Sequence, residues 1–312
     1  MVEDKIQKML ADLRNDNTSG ANELIDQALE IIKIFLDSEK DEKIDLKDRF
    51  IKLSKEIMDS KPSMAPLINI IGFLTHNLKS YDKENVLNKI EQFYVEKTNR
   101  AKNLEYTFQK FIGKEFKNRA KIKVMLISYS STLLNLLLKF KEYPLEIYVL
   151  ESRPLLEGHR TAEILAPHFK THIIIDAAIG TFIEEIECVL LGIDSILNDG
   201  SIINKIGSYT LAVLAHENKK PVYAVGDSFK YNLKSHFGQK IVIEANPIAE
   251  VYTKEITIEN LSVHNYYFEI TPSKYITKII SDLGEFTPKK FVSKVKKTLS
   301  VNWFEPFLKN NK

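Results

Sequence analysis

The chain has 312 residues, 44% hydrophobic and 10% aromatic, enough apolar material for one large core or two ordinary ones, so two domains are expected. Its 44 Lys and Arg nearly cancel 42 Asp and Glu, and a formal net charge of +2 gives no overall field that would draw it onto nucleic acid or anionic lipid. The single cysteine, Cys188, cannot close a disulfide within the chain, the opening MVEDKIQKML lacks the order of a secretory signal, and apolar runs stop short of the roughly 20 residues that span a bilayer. A cytoplasmic location is expected, with no membrane and no direct nucleic-acid partner.

Leu24, Ala28, Ile31, Ile32 and Phe35 recur at the three-and-four spacing of one helix face, with Asp26, Glu30 and Lys33 between them. Ser19, just before Gly20 and Ala21, is read as the N-cap of that helix. Residues 43–59 and 84–117 repeat the amphipathic pattern without proline, so an all-helical domain is expected over 1–118. After Arg119 the period changes. KVMLIS, EIYVLES, THIIIDA, ECVLLGI and PVYAVG read as buried parallel strands, and 131–141, 158–168, 178–185 and 207–218 have the lengths of crossover helices. The expectation for 119–312 is therefore a Rossmann-like α/β domain, a doubly wound and mostly parallel sheet with helices on both faces.

In such a sheet the crevice lies beyond the strand carboxyl ends, which directs attention to the following loops. Ser128-Tyr129-Ser130-Ser131-Thr132 is a hydroxyl-rich turn opening a helix, suited to a phosphate or carboxylate, or equally to simple capping. Arg153, in ESRP at 151–154, has a planar fork that suits a carboxylate or a phosphate; the alternative is an internal salt bridge to Glu151 or Asp176. His159 has no companions at metal-ligand spacing and takes no role, and neither a metal nor a cofactor is expected. Asn198-Asp199-Gly200 is a turn between short strands. Asp194, at a strand mouth, is a candidate acid or base if burial raises its pKa, or a structural acceptor. Asn204-Lys205, before the glycine that opens a helix, offers an amide, an ammonium and free backbone N–H groups to a phosphorylated ligand.

Taken in order, these segments resemble the α, β and δ subunits of translation initiation factor 2B and the related ribose-1,5-bisphosphate and methylthioribose-1-phosphate isomerases. The family's E-S/T-R-P strand end stands at 151–154, its D-A-A element at 176–178, its G-A-D-S-I element as GIDSI at 192–196, and NKIG at 204–207. Phe268 to Pro272, then Ser281 to Gly284 with Pro288, match a further segment, and T-S-G-A at 18–21 matches more faintly. In the isomerases, the resemblance implies, a cysteine after the first strand and the G-A-D-S-I aspartate form the acid/base pair. Asp194 matches the aspartate. Tyr129 stands at the cysteine position, and a phenol with a reference pKa near 10 is a poor substitute for a thiol. The arginine that the isomerases carry before the amino-terminal Gly-Ala is Ser19 here.

The resemblance therefore implies a non-catalytic regulatory subunit that binds a sugar phosphate or nucleotide through Gly20, Ala21, Ser130, Ser131, Arg153, Asp194, Asn204 and Lys205. It further implies assembly as a homodimer or with related subunits, and translation initiation factor 2 as partner. The alternatives are an isomerase working through Asp194, or a free-standing sugar-phosphate sensor. Trp303-Phe304-Glu305-Pro306-Phe307 is expected to pack on the chain's own core or on a neighbouring chain.

Overall fold

Apolar residues at helical spacing build the first layer. A computed structural model describes residues 2–17, 19–38, 46–117 and 119–299; Thr18, the start of the helix expected at 43–59 and the aromatic run at 303–307 lie outside the described residues. Helix α1 (Val2–Asn15) buries Ile6, Leu10 and Leu13, and α2 (Ala21–Ser38) buries the five residues that mark its apolar face. Helix α3 (Lys47–Ser60) and α5 (Lys83–Glu115) follow the other two amphipathic stretches. Between them α4 (Ala65–Thr75), with the sequence APLINIIGFLT, is apolar nearly all round and hence buried at almost every position, packed against α2, α3 and α5.

Ser19 does not cap α2. The Leu24 amide donates to the Gly20 carbonyl at 3.1 Å, which makes Gly20 the cap, and Glu23 reaches back to accept from the Gly20 amide at 3.1 Å. Asp16 takes the Ser19 amide instead, at 2.9 Å.

From residue 122 strands and helices alternate. The order is β1 (Ile122–Ile127), α6 (Ser131–Lys139), β2 (Leu145–Leu150), α7 (Glu157–Leu165), β3 (Lys170–Ile174), the one-turn α8 (Ile179–Phe182) and β4 (Cys188–Leu191). Then come β5 (Ser195–Ile196), β6 (Ile202–Lys205), α9 (Ser208–Glu217), β7 (Val222–Val225), α10 (Leu233–His236), β8 (Phe268–Thr271), β9 (Lys278–Ser281), β10 (Gly284–Phe286) and α11 (Pro288–Val295). The crossover helix expected over 178–185 is only the single turn of α8 between two 3₁₀ turns.

The large sheet has the order β10-β9-β7-β4-β1-β2-β3, parallel except for β10, and all five expected strands lie in it. Residues along β1 alternate between two cores, as a strand's period of two requires. Val124 and Leu126 join Leu104, Phe108 and Phe111 of α5, whereas Met125 and Ile127 join the cluster that runs on into the amino-terminal helices. The first crossovers run from β1 outward to β2 and β3; the chain then returns to β4 on the other side of β1, so the switch point lies between β1 and β4.

The turn at 198–200 links β5 to β6, and both belong with β8 to a separate antiparallel sheet, β5-β6-β8. Gly200, at φ +84°, supplies the left-handed residue of that turn. No helix among the described residues is long and apolar enough to cross a membrane.

Candidate ligand site at the switch point

Two loops diverge at the switch point and almost touch. A Cβ on Gly192, after β4, would lie 2.9 Å from both Cβ and Oγ of Ser130, after β1, so this close approach requires glycine. Ser130 caps α6, its Oγ accepting from the Leu133 amide at 3.3 Å. The amino end of α2 comes down on the same spot, where a Cβ on Gly20 would sit 3.5 Å from Ser131 Oγ. Two helix amino ends, with their unpaired amides and partial positive charge, thus face one space.

That space is a pair of adjoining clefts that share Gly20, Tyr129, Asp194 and Asn204 as walls. One end holds Ala21, Ser130, Ser131 and Lys230. The other holds Glu157, Lys205 and Tyr267.

Asp194 stands at the centre. It immediately precedes β5, and its amide donates to the Ile203 carbonyl at 3.0 Å. Ser195 beside it donates to the Ser63 carbonyl at 2.6 Å and accepts from the Ala65 amide at 2.9 Å, so the start of α4 anchors this turn. No described residue hydrogen-bonds the Asp194 carboxylate, and Asp194 lines both cavities. Burial pushes its pKa up to about 6; Lys230 pulls it back, Glu157 raises it and Lys205 lowers it.

The two lysines differ in how far they are committed. Lys205 is buried, and both carboxylate oxygens of Glu157 lie 2.8 Å from its Nζ, with the Tyr267 ring face 5.5 Å away. Lys230 is also buried, and among the described residues its only hydrogen-bond partner is the Ile193 carbonyl. The α4 residue Asn69 holds the segment that carries it, donating to the Phe229 carbonyl and, at 2.7 Å, to that of Tyr231. Lys230 is therefore the more available cation.

Of the residues singled out in the sequence, Gly20, Ala21, Ser130, Ser131, Asp194, Asn204 and Lys205 come together around the cavities. Arg153 does not. It is exposed, and its Nη2 donates to the Glu250 carbonyl at 3.1 Å. The Asp176 carboxylate accepts the backbone amides of Ser152 and Arg153, at 2.8 and 2.7 Å, leaving the guanidinium directed away.

The amides that open α9 are not free either. Glu269 of β8 accepts from Gly207 N at 2.6 Å and from Tyr209 N at 2.9 Å, and the Asn204 side chain donates to Ser208 Oγ at 3.0 Å. Sequence reasoning missed Lys230, Glu157 and Glu269. Lys230 had a usable signal, since it lies five residues past β7, in a loop after a strand carboxyl end.

Tyr129 lines both cavities, with the Arg160 guanidinium 4.1 Å from its ring centroid. Cys188 lies inside β4, buried in the core shared with α5, and burial pushes its thiol pKa far above the ordinary value.

An open α/β sheet whose switch-point crevice is closed by a layer of amino-terminal helices defines the class of protein. The chain belongs to the initiation factor 2 subunit family, whose profile matches residues 17–288. A ribose 1,5-bisphosphate isomerase of Archaeoglobus fulgidus is 31% identical over 282 residues, 89% of this chain and 88% of that protein. A translation initiation factor eIF-2B from Pyrococcus horikoshii superposes with a TM-score of 0.77 at 25% identity, over 92% of this chain and 98% of that one. In fold alone, a chain of the tetrameric eIF2B-beta2-delta2 complex from Chaetomium thermophilum is also similar, with a TM-score of 0.68 at 15% identity over 96% of each chain.

Proposed function

We propose that this chain is a non-catalytic regulatory subunit of the initiation factor 2B type, whose switch-point cavities hold a phosphorylated sugar or nucleotide without rearranging it. The observation that carries the reading is Tyr129, which lines both cavities together with Asp194 and stands at the chain position where the isomerases would need a thiol. Cys188 cannot take its place from within β4. Proton transfer to and from a sugar needs a group that exchanges protons near neutrality, and a phenol with an ordinary pKa near 10 does so poorly. In this reading the chain works in the cytoplasm, assembles with itself or with related subunits, and meets translation initiation factor 2 through its helical domain.

A second reading, a sugar-1-phosphate isomerase, is favoured by Asp194, whose pKa of about 6 suits general acid/base work, and by the isomerase name of the Archaeoglobus relative. Both readings require the cavities to bind phosphate. Calorimetric titration with ribose 5-phosphate is expected to show binding that Lys230→Met weakens at least tenfold, through loss of a charge-assisted hydrogen bond. Absence of binding to the unaltered chain would contradict the proposal.

A further inference from the structure

The two ends of the site are not electrostatically alike. At the end formed by α2 and α6, Lys230 stands among helix amino ends with no carboxylate bound to it. At the opposite end Lys205 is already matched, held bidentately by Glu157 at 2.8 Å and 2.8 Å. Glu157 is fixed there by its backbone. It is the first residue of α7, the preceding Leu156 is in the left-handed region at φ +58°, and the following Gly158 leaves no room beside the Leu150 carbonyl. A side chain alone could swing away, but that would strip Lys205, whose side chain is only 3% exposed, of its counter-charge.

We infer that Glu157 is a specificity-determining residue that stands in for an anion at the Lys205 end, so that the site accepts a sugar carrying one phosphate and rejects one carrying a second phosphate at its far end. The inference rests on the reading of these cavities as a phosphate-binding site. A single phosphate meets Lys230 and the amides of α2 and α6. The sugar then spans Asp194 and Asn204, and its far hydroxyls donate to Glu157, a carboxylate that accepts from O–H groups and repels phosphate oxygens. A second phosphate would have to displace Glu157 from Lys205 or lie against it, and either choice leaves like charges in contact within a space that solvent screens poorly.

Titration calorimetry with ribose 5-phosphate and ribose 1,5-bisphosphate on the full chain, Glu157→Gln and the double variant Glu157→Gln/Lys205→Gln tests this. The quantity read is the ratio of the two affinities. Glu157→Gln is expected to raise the preference for the bisphosphate at least tenfold, and removing Lys205 as well should return the ratio toward its original value, because the gain depends on the freed ammonium. The double variant also guards against misfolding, since it leaves no unpaired buried charge. A ratio unchanged in Glu157→Gln, or a gain that survives loss of Lys205, overturns the inference while leaving the binding site standing. If neither sugar binds any of the three proteins, the phosphate-site reading itself fails and takes the inference with it.

Discussion

Replacing Gly158 by alanine is expected to leave little folded protein. The added Cβ would lie 1.8 Å from the Leu150 carbonyl oxygen, 2.8 Å from its carbon and 3.0 Å from the Glu151 carbonyl carbon. All three are backbone atoms at the end of β2, a strand paired on both sides, so none can yield without moving the sheet. The first turn of α7 is laid directly on that strand end, with the Gly158 amide donating to the Glu151 carbonyl at 3.2 Å. A clash of this kind belongs to the rare class that costs more than about 4 kcal/mol. Gly180→Ala is the control, because nothing lies within 4 Å of a Cβ there, and its effect should stay within about 1 kcal/mol. Soluble yield and urea midpoint measure both; a wild-type midpoint for Gly158→Ala would contradict the packing described.

Neutralising Asp194 is expected to do the reverse and stabilise the protein at neutral pH. Burial pushes this carboxyl from an ordinary 3.8 to about 6 in the folded chain. The folded state therefore holds the proton more tightly than the unfolded state does. Its contribution is neutral below about pH 4, turns unfavourable as the pH rises to about 6, and stays unfavourable above that. A gap of about two pKa units corresponds to at most roughly 3 kcal/mol. Asp194→Asn mimics the protonated form, so its urea midpoint should exceed wild type at pH 7.5 and approach it at pH 4. Asp282 titrates in the same window, raised to about 6 by burial and then by Asp227, but it accepts two hydrogen bonds from Ser228 and cannot be neutralised without losing them. A variant no more stable than wild type at pH 7.5 would contradict the description of Asp194 as a half-buried carboxyl without a hydrogen-bond partner among the described residues. Stability sacrificed at one residue that faces a cavity is characteristic of a functional site.

The large sheet was legible because its strands are short apolar runs bounded by turn residues, a pattern set by burial on both faces. Helix α4 was not, since a segment apolar on nearly every side has no amphipathic period to detect, only its surroundings to explain it. The sheet β5-β6-β8 left a trace only in the Asn198-Asp199-Gly200 turn, because two- and four-residue strands carry too little pattern.

The site divides in the same way. Chain position placed Asp194, Asn204 and the serines correctly at strand ends, since topology decides where those Cα atoms fall. It could not say where a long side chain points, and so Arg153 was placed at the site although its guanidinium meets the Glu250 carbonyl. Nor could local sequence show that Glu269, more than sixty residues away, would take the amides of α9, or that Glu157 would take Lys205. Pairings between distant side chains follow from the fold, and they decide which charges remain open to a ligand.

Incubation of the purified chain with ribose 1-phosphate, a sugar with a single phosphate, followed by phosphorus NMR, tests most directly whether the site holds a sugar phosphate without rearranging it. No ketose should form above the rate in buffer alone, and Asp194→Asn should give the same spectrum as the unaltered protein. Steady conversion to the ketose that disappears in Asp194→Asn would mean that Tyr129, or another hydroxyl, does the work of the missing thiol, and that this chain is an enzyme.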